Sequence, residues 1–307
     1  MSAPRTDKRD VHGWIALDKD VGRTSTEAVA AVKRLFRAKK AGHAGTLDPL
    51  ASGVLPVALG EATKTVPFVM DGRKTYRFTV RWGIETDTDD AEGRALKTSL
   101  ARPDADSIRA ALPAFTGTIA QVPPSYSALK IEGERAYDLA RGGEEVLLAA
   151  RPVEIHRLAL IETPDAEHAV LEAECGKGTY VRAIARDLGR VLGCLGHVES
   201  LRRACVGPFS ESKAVTLAQL AKLAQAGEPE LFAVLESVET GLELLPGLSV
   251  SHADAQRLML GQPVLLRGRD APLMQGTVSV SSAGTLVAIA EVLEGSLKPK
   301  RIFNLPR

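Results

Sequence analysis

Asp48 lies in a stretch of small and apolar residues, GHAGTLDPLASGVLPVALGEATK at positions 42–64. An aspartate directly before a proline is steered out of the right-handed helical region, because the proline ring crowds the preceding backbone. Its carboxylate therefore leaves a constrained piece of chain. Two readings stand side by side. Asp48 is a fixed nucleophile or base, or it is the N-cap of a helix that begins at Pro49. Around it lie two concentrations of positive charge: Lys33, Arg34, Arg37, Lys39 and Lys40 just before the stretch, and Arg182, Arg186, Arg190, Arg202 and Arg203 much later. Each reads as a solvated helix face or as a set of phosphate contacts. Their adjacency to the chain's motif blocks favours phosphate.

The elements that must position these groups can be placed from pattern. TSTE at 24–27, followed by apolar Ala28, Val29, Val32, Leu35 and Phe36, predicts a capped amphipathic helix. Tyr76, Phe78, Val80 and Trp82 alternate with Arg77, Thr79 and Arg81, which predicts a half-buried strand with Tyr76 on its apolar face. A short helix is expected over 107–112, strands over 117–122 and 171–175, and a helix from Val181 to near Gly193. Further helices are expected over 216–226 and 229–239. Strands and helices alternate without a regular βαβ repeat, so the expected class is α+β with a mixed sheet. The proline and glycine at 246–247 mark a boundary, giving a large domain over 1–243 and a small β-rich domain over 244–307. In the latter, Ser251 caps a helix to Leu260, and strands are expected over 264–266, 277–280, 285–292 and 301–304.

Six motif blocks in order carry a resemblance: LDKDVGRTS at 17–25, the stretch at 42–64, KTYR at 74–77 with Gly83, Thr86, Asp87, Asp89 and Gly93, then PPSYSALK at 123–130, CGKGTYVR at 175–182 and GHVESLRR at 196–203. Together they resemble the bacterial tRNA pseudouridine-55 synthases, the TruB family. The chain departs from the family at Asp20, where the opening motif usually carries proline.

Residues 132–141, within a stretch rich in charge and glycine, read as a short projecting helix or as an ordinary surface excursion. The resemblance implies a pseudouridine synthase fold with a thumb inserted at about 123–152 and a PUA-like C-terminal domain. It implies isomerisation of uridine 55 in the T stem-loop of tRNA by a flipped-base mechanism. The implied catalytic residues are Asp48, Tyr76 and Arg182, with Arg182 as ion-pair partner of Asp48. A guanidinium suits that role because its planar fork binds a carboxylate bidentately and keeps its charge. The implied substrate-binding residues are His43, Tyr76, Tyr180, Leu201, Lys64 and Lys19, with His43 against the RNA and Lys64 on phosphate. No cofactor or metal is implied, since nothing enters or leaves the nucleotide overall.

Composition bounds these expectations. The chain has 307 residues, 45% hydrophobic and 25% charged, with net charge +1, which disfavours a protein that coats nucleic acid indiscriminately. No apolar run approaches the ~18 residues of a membrane span, and the polar opening MSAPRTDKRD lacks a signal-peptide core. The expectation is a cytoplasmic monomer with no obligate protein partner. Cys175, Cys194 and Cys205 have no C-x-x-C spacing and read as packed thiols. Three competing readings remain: a guide-RNA-dependent pseudouridine synthase subunit, a non-catalytic tRNA-binding or folding protein, and a metal hydrolase built on His43 and Asp48. The last lacks a recognisable ligand set.

Overall fold

The computed structural model of the chain describes residues 8–126, 130–131, 134–135, 148–266 and 274–306. Its strands in chain order begin with β1 (Gly13–Lys19), β2 (Ala41–His43), β3 (Ala51–Leu59) and β4 (Lys74–Trp82). A side hairpin, β5 (Ile84–Thr86) and β6 (Ala95–Thr98), precedes β7 (Gly117–Gln121), β8 (Lys130–Ile131) and β9 (Glu134–Arg135). Then come β10 (Arg151–Asp165), β11 (His168–Cys175), β12 (Gly196–Val206), β13 (Phe209–Ser210) and β14 (Val215–Thr216). The large sheet runs β14-β1-β3-β12-β4-β11-β10-β7, with β2 on β3 and β13 on β12. Only β1–β14 and β3–β12 pair in parallel. The sheet is therefore mixed and largely antiparallel, as expected.

The alternation in β4 works as read: Phe78, Val80 and Trp82 are buried, while Arg77 faces water. Thr24 caps the helix Ser25–Leu35 in a reciprocal capping box with Glu27, and Ala28 and Val32 enter the core. The helix Val181–Val191 packs Ile184 and Leu188 into the same core, together with Leu55, Val57 and Trp82.

Beyond β14, β15 (Gly247–Ser249), β16 (Val264–Leu265), β17 (Gly276–Ser282), β18 (Thr285–Leu293) and β19 (Ser296–Ile302) form a second sheet. The helix His252–Met259, capped by Ser251, covers it. Leu286, Ile289 and Phe303 of this part pack against Trp14, Val206 and Phe209 of the large sheet's neighbourhood, so the two sheets share a buried apolar cluster.

Several expectations are corrected. The helix expected over 229–239 stops after Glu228–Phe232, because Glu236 exchanges backbone hydrogen bonds of 2.8 Å with Trp14, and a 3-10 turn follows at Val238–Leu242. The last strand is Ser296–Ile302, not 301–304. Glu134–Arg135 pairs antiparallel with Lys130–Ile131, which is strand where the thumb helix was expected; the rest of 132–141 lies outside the described residues. Among the described residues no helix is long and apolar enough to cross a membrane.

Candidate active site

The Asp48 carbonyl accepts from Ala51 N–H at 3.0 Å, closing a tight turn over Pro49 and Leu50 that leads directly into β3. Pro49 starts no helix, so the N-cap reading of Asp48 is overturned. The turn is anchored from two sides. Buried Ser25 lies 2.9 Å from both the N–H and the carbonyl of Leu47 through its hydroxyl, and Gly22 N–H donates to the Pro49 carbonyl at 2.7 Å. The first turn of the capped helix thus holds the backbone that presents Asp48.

Arg182, one residue into the helix Val181–Val191, reaches that carboxylate. Its Nη2 lies 2.9 Å from Asp48 Oδ2 and donates to the Tyr126 carbonyl at 3.0 Å. Nη1 binds Asp90 Oδ2 and the Thr88 carbonyl, each at 3.1 Å. The Arg182 side chain is 9% exposed and Asp48 42%, so the guanidinium is walled in while the carboxylate opens to the cavity. Gln121 fixes the backbone before this helix, accepting from Tyr180 N–H at 2.8 Å and donating to the Tyr180 carbonyl at 3.1 Å.

Asp48, Tyr76, Tyr180, Arg182, Leu201 and Arg203 line one cavity of about 310 Å³. The sheet register explains the meeting: Leu201 of β12 lies opposite Ala51 of β3 and Phe78 of β4, and Arg203 opposite Gly53 and Tyr76. Burial pushes the Tyr76 hydroxyl upward in pKa, with the Arg203 guanidinium opposing, so Tyr76 stays neutral. The arrangement can present a carboxylate, held by a guanidinium, to a flat group enclosed by two tyrosines and a leucine.

The remaining expected site residues lie elsewhere. His43 sits on β2 opposite Val57 and does not line the cavity. Burial, and then the Arg203 charge, lower its pKa, and its buried Nδ1 has no hydrogen-bond partner among the described residues. Lys19 is 1% exposed, and its Nζ donates to the carbonyls of Asp20 and Arg23 at 2.8 Å, bracing the turn at the departure from the family motif. Lys64 is likewise occupied, donating to Glu61 at 2.6 Å and to the Ile302 carbonyl at 2.7 Å, with Phe303 beneath it. It ties the helical turn Gly60–Lys64 to β19 rather than facing the cavity.

The later basic cluster is corrected as a phosphate surface. Arg182, Arg186 and Arg190 project one turn apart and meet Asp90, Asp89 and Glu85 at 3.1, 2.9 and 2.7 Å. Arg202 binds Asp18 and Glu211, and Arg203 is held by backbone carbonyls. In the earlier cluster Arg37 and Lys39 pair with Glu228 and Asp10, while Arg34 and Lys40 are exposed. Sequence reasoning missed Asp90 and Arg203 as members of the site. The one available signal was the four-residue spacing of the helix arginines against acids at 85, 89 and 90.

Comparison with known proteins adds the following. The family model described as TruB family pseudouridylate synthase (N terminal domain) matches residues 33–181, and that of the tRNA pseudouridylate synthase B C-terminal domain matches 182–243. Among curated relatives, the tRNA pseudouridine synthase B of Nitrobacter winogradskyi is 67% identical, over 98% of this chain and 85% of the relative. That of Rhizobium meliloti is 56% identical over 99% of each. Among solved structures, a crystal structure of a Cbf5-Nop10-Gar1 complex is similar with a TM-score of 0.76 and 25% identity, covering 95% of this chain and 84% of that one.

Proposed function

This chain belongs to the TruB family of pseudouridine synthases, and from that membership we propose that its cavity isomerises uridine 55 in the T loop of tRNA to pseudouridine. The observation that carries the reading is the Asp48 carboxylate, 2.9 Å from Arg182 and open to a cavity walled by Tyr76, Tyr180 and Leu201.

The reaction breaks the N1–C1′ bond, turns the uracil in place, forms a C5–C1′ bond, releases the proton from C5 and takes one up at N1. Atoms and electrons balance within the nucleotide, so the chemistry asks for a nucleophile or base and an enclosing pocket. Asp48 serves in any of three routes: attack on C1′ with departure of the uracil, addition to C6 of the ring, or removal of the 2′ proton to give a glycal. Arg182 aims the carboxylate in each. A base inside a folded loop must first leave its stack, which costs a few kcal/mol that contact with an aromatic ring recovers. Tyr76 and Tyr180 supply such rings.

The exposed Arg34 and Lys40 would offer phosphate contacts to the tRNA. Residues 123–152 would close over the stem-loop as a thumb, and 244–307 would add a PUA-like RNA-binding domain to a catalytic domain over 1–243. The protein would act alone, as a cytoplasmic monomer. Mapping pseudouridine in an unmodified tRNA transcript treated with this chain alone tests the reading. One new pseudouridine at position 55 is expected; conversion at another position, or only after guide RNA and partner proteins are added, contradicts it.

A further inference from the structure

β12 runs beneath the turn that carries Asp48, and its Arg203 is 2% exposed. Nε donates to the Val54 carbonyl at 2.8 Å, Nη2 to Gly45 at 2.9 Å and Nη1 to Thr46 at 3.4 Å. Gly45 and Thr46 lie in the approach to Asp48, and Val54 in the strand that leaves it. A planar fork of fixed geometry reaches both flanks at once, which an ammonium on a flexible stem does not.

The glycines of this stretch are shaped around the same residue. Gly45 has φ +94°, and a Cβ there would lie 3.3 Å from Arg203 Nη1. Gly53 has φ +99°, and a Cβ there would meet the Arg203 carbonyl oxygen at 2.3 Å. The Asp48 segment thus closes onto the Arg203 side chain at Gly45 and onto the β12 backbone at Gly53.

The charge points the same way. Buried cations are ordinarily matched by carboxylates, as Arg182 and Arg186 are by Asp90 and Asp89. Among the described residues Arg203 bonds to carbonyl oxygens and to the Tyr76 hydroxyl and pairs with no carboxylate, and Lys19 and Lys74, also buried, lie within its field. A cation kept in this setting without a counter-charge is retained for what its fork holds.

We propose that Arg203 is a positioning residue for Asp48, clamping the catalytic turn from beneath so that the carboxylate is presented in one geometry. This rests on the isomerase reading of the cavity. Misplacing a reacting group by about 1 Å costs on the order of a hundredfold in rate. In single-turnover conversion of tRNA by the full chain, Arg203→Lys, which keeps the charge and loses the fork, is expected to slow conversion about a hundredfold. Its Kd for tRNA is expected to stay within about twofold of wild type, because binding does not depend on where the carboxylate points.

Gly45→Ala crowds the same contact from the other side and leaves the charge in place. It should also slow conversion with binding kept, and the double variant should be no slower than the slower single variant, since both lesions break one set of contacts. Arg203→Lys keeping pace with wild type overturns the proposal, as do rate and affinity falling together or the two effects multiplying. If Arg203→Lys does not fold, Gly45→Ala decides alone by the same rate and affinity criteria. A wild type that converts no tRNA overturns the isomerase reading along with the clamp; an active wild type matched by Arg203→Lys overturns the clamp only.

Discussion

Asp48 and Asp90 share one guanidinium: Arg182 Nη2 lies 2.9 Å from Asp48 and Nη1 3.1 Å from Asp90. The two carboxylates differ in setting, since the Asp48 side chain is 42% exposed and that of Asp90 only 4%. The open one faces the cavity, and the buried one neutralises the arginine that both share.

That difference separates stability from activity. Asp90→Ala leaves a buried guanidinium facing one half-exposed carboxylate, and breaking a buried pair costs about 3–5 kcal/mol. Asp48→Ala removes the half-exposed partner and should cost no more than about 1 kcal/mol. Urea unfolding of the two variants checks the ordering; equal losses would contradict it.

Asp89 is pushed up to about 6 by burial, against the pull of Arg186 and Arg182. A carboxyl group whose folded pKa lies above its unfolded value binds protons more tightly when folded, so its contribution is fully present at low pH and lost as pH rises to about 6. Asp89→Asn should therefore flatten the fall in stability between its ordinary carboxylate range and about 6. Urea midpoints across that window measure it, and an unchanged profile would count against the assignment.

How much of this was legible in the sequence depends on how local each cause is. The strand over 74–82 and the helix capped at Thr24 follow from period and capping, which neighbouring residues fix. The Asp48 turn was ambiguous because the Asp-Pro backbone preference serves a helix cap and a tight turn equally; the anchor on Ser25 and entry into β3 decide between them. Arg182, Arg186, Arg190 and Arg202 looked like a phosphate surface because the acids that neutralise them, Glu85, Asp89, Asp90, Asp18 and Glu211, come from distant segments. The partners of Lys64 on β19 likewise become visible only once the second sheet packs against the first.

Lys64→Met tests that tie. Loss of a charged hydrogen bond to the Ile302 carbonyl and of the pair with Glu61 should cost about 1–3 kcal/mol, with conversion of tRNA little changed. A normal melting curve joined to weakened tRNA binding would restore Lys64 to the phosphate surface.

Tyr76 separates ring from hydroxyl. Because burial keeps the hydroxyl neutral, the ring should matter most. Tyr76→Phe should retain tRNA conversion better than Tyr76→Ala, which forfeits stacking of about 1–3 kcal/mol. Single-turnover rates compare them, and equal loss in both would assign the work to the hydroxyl.

The central claim is that Asp48 performs the isomerisation in the cavity it shares with Arg182 and Tyr76. Tritium release from tRNA labelled at C5 of uridine, with wild type and Asp48→Asn compared at equal folded concentration, tests it most directly. Wild type should release the label from position 55 and Asp48→Asn should release none while still binding the tRNA; release by folded Asp48→Asn at the wild-type rate would contradict the account.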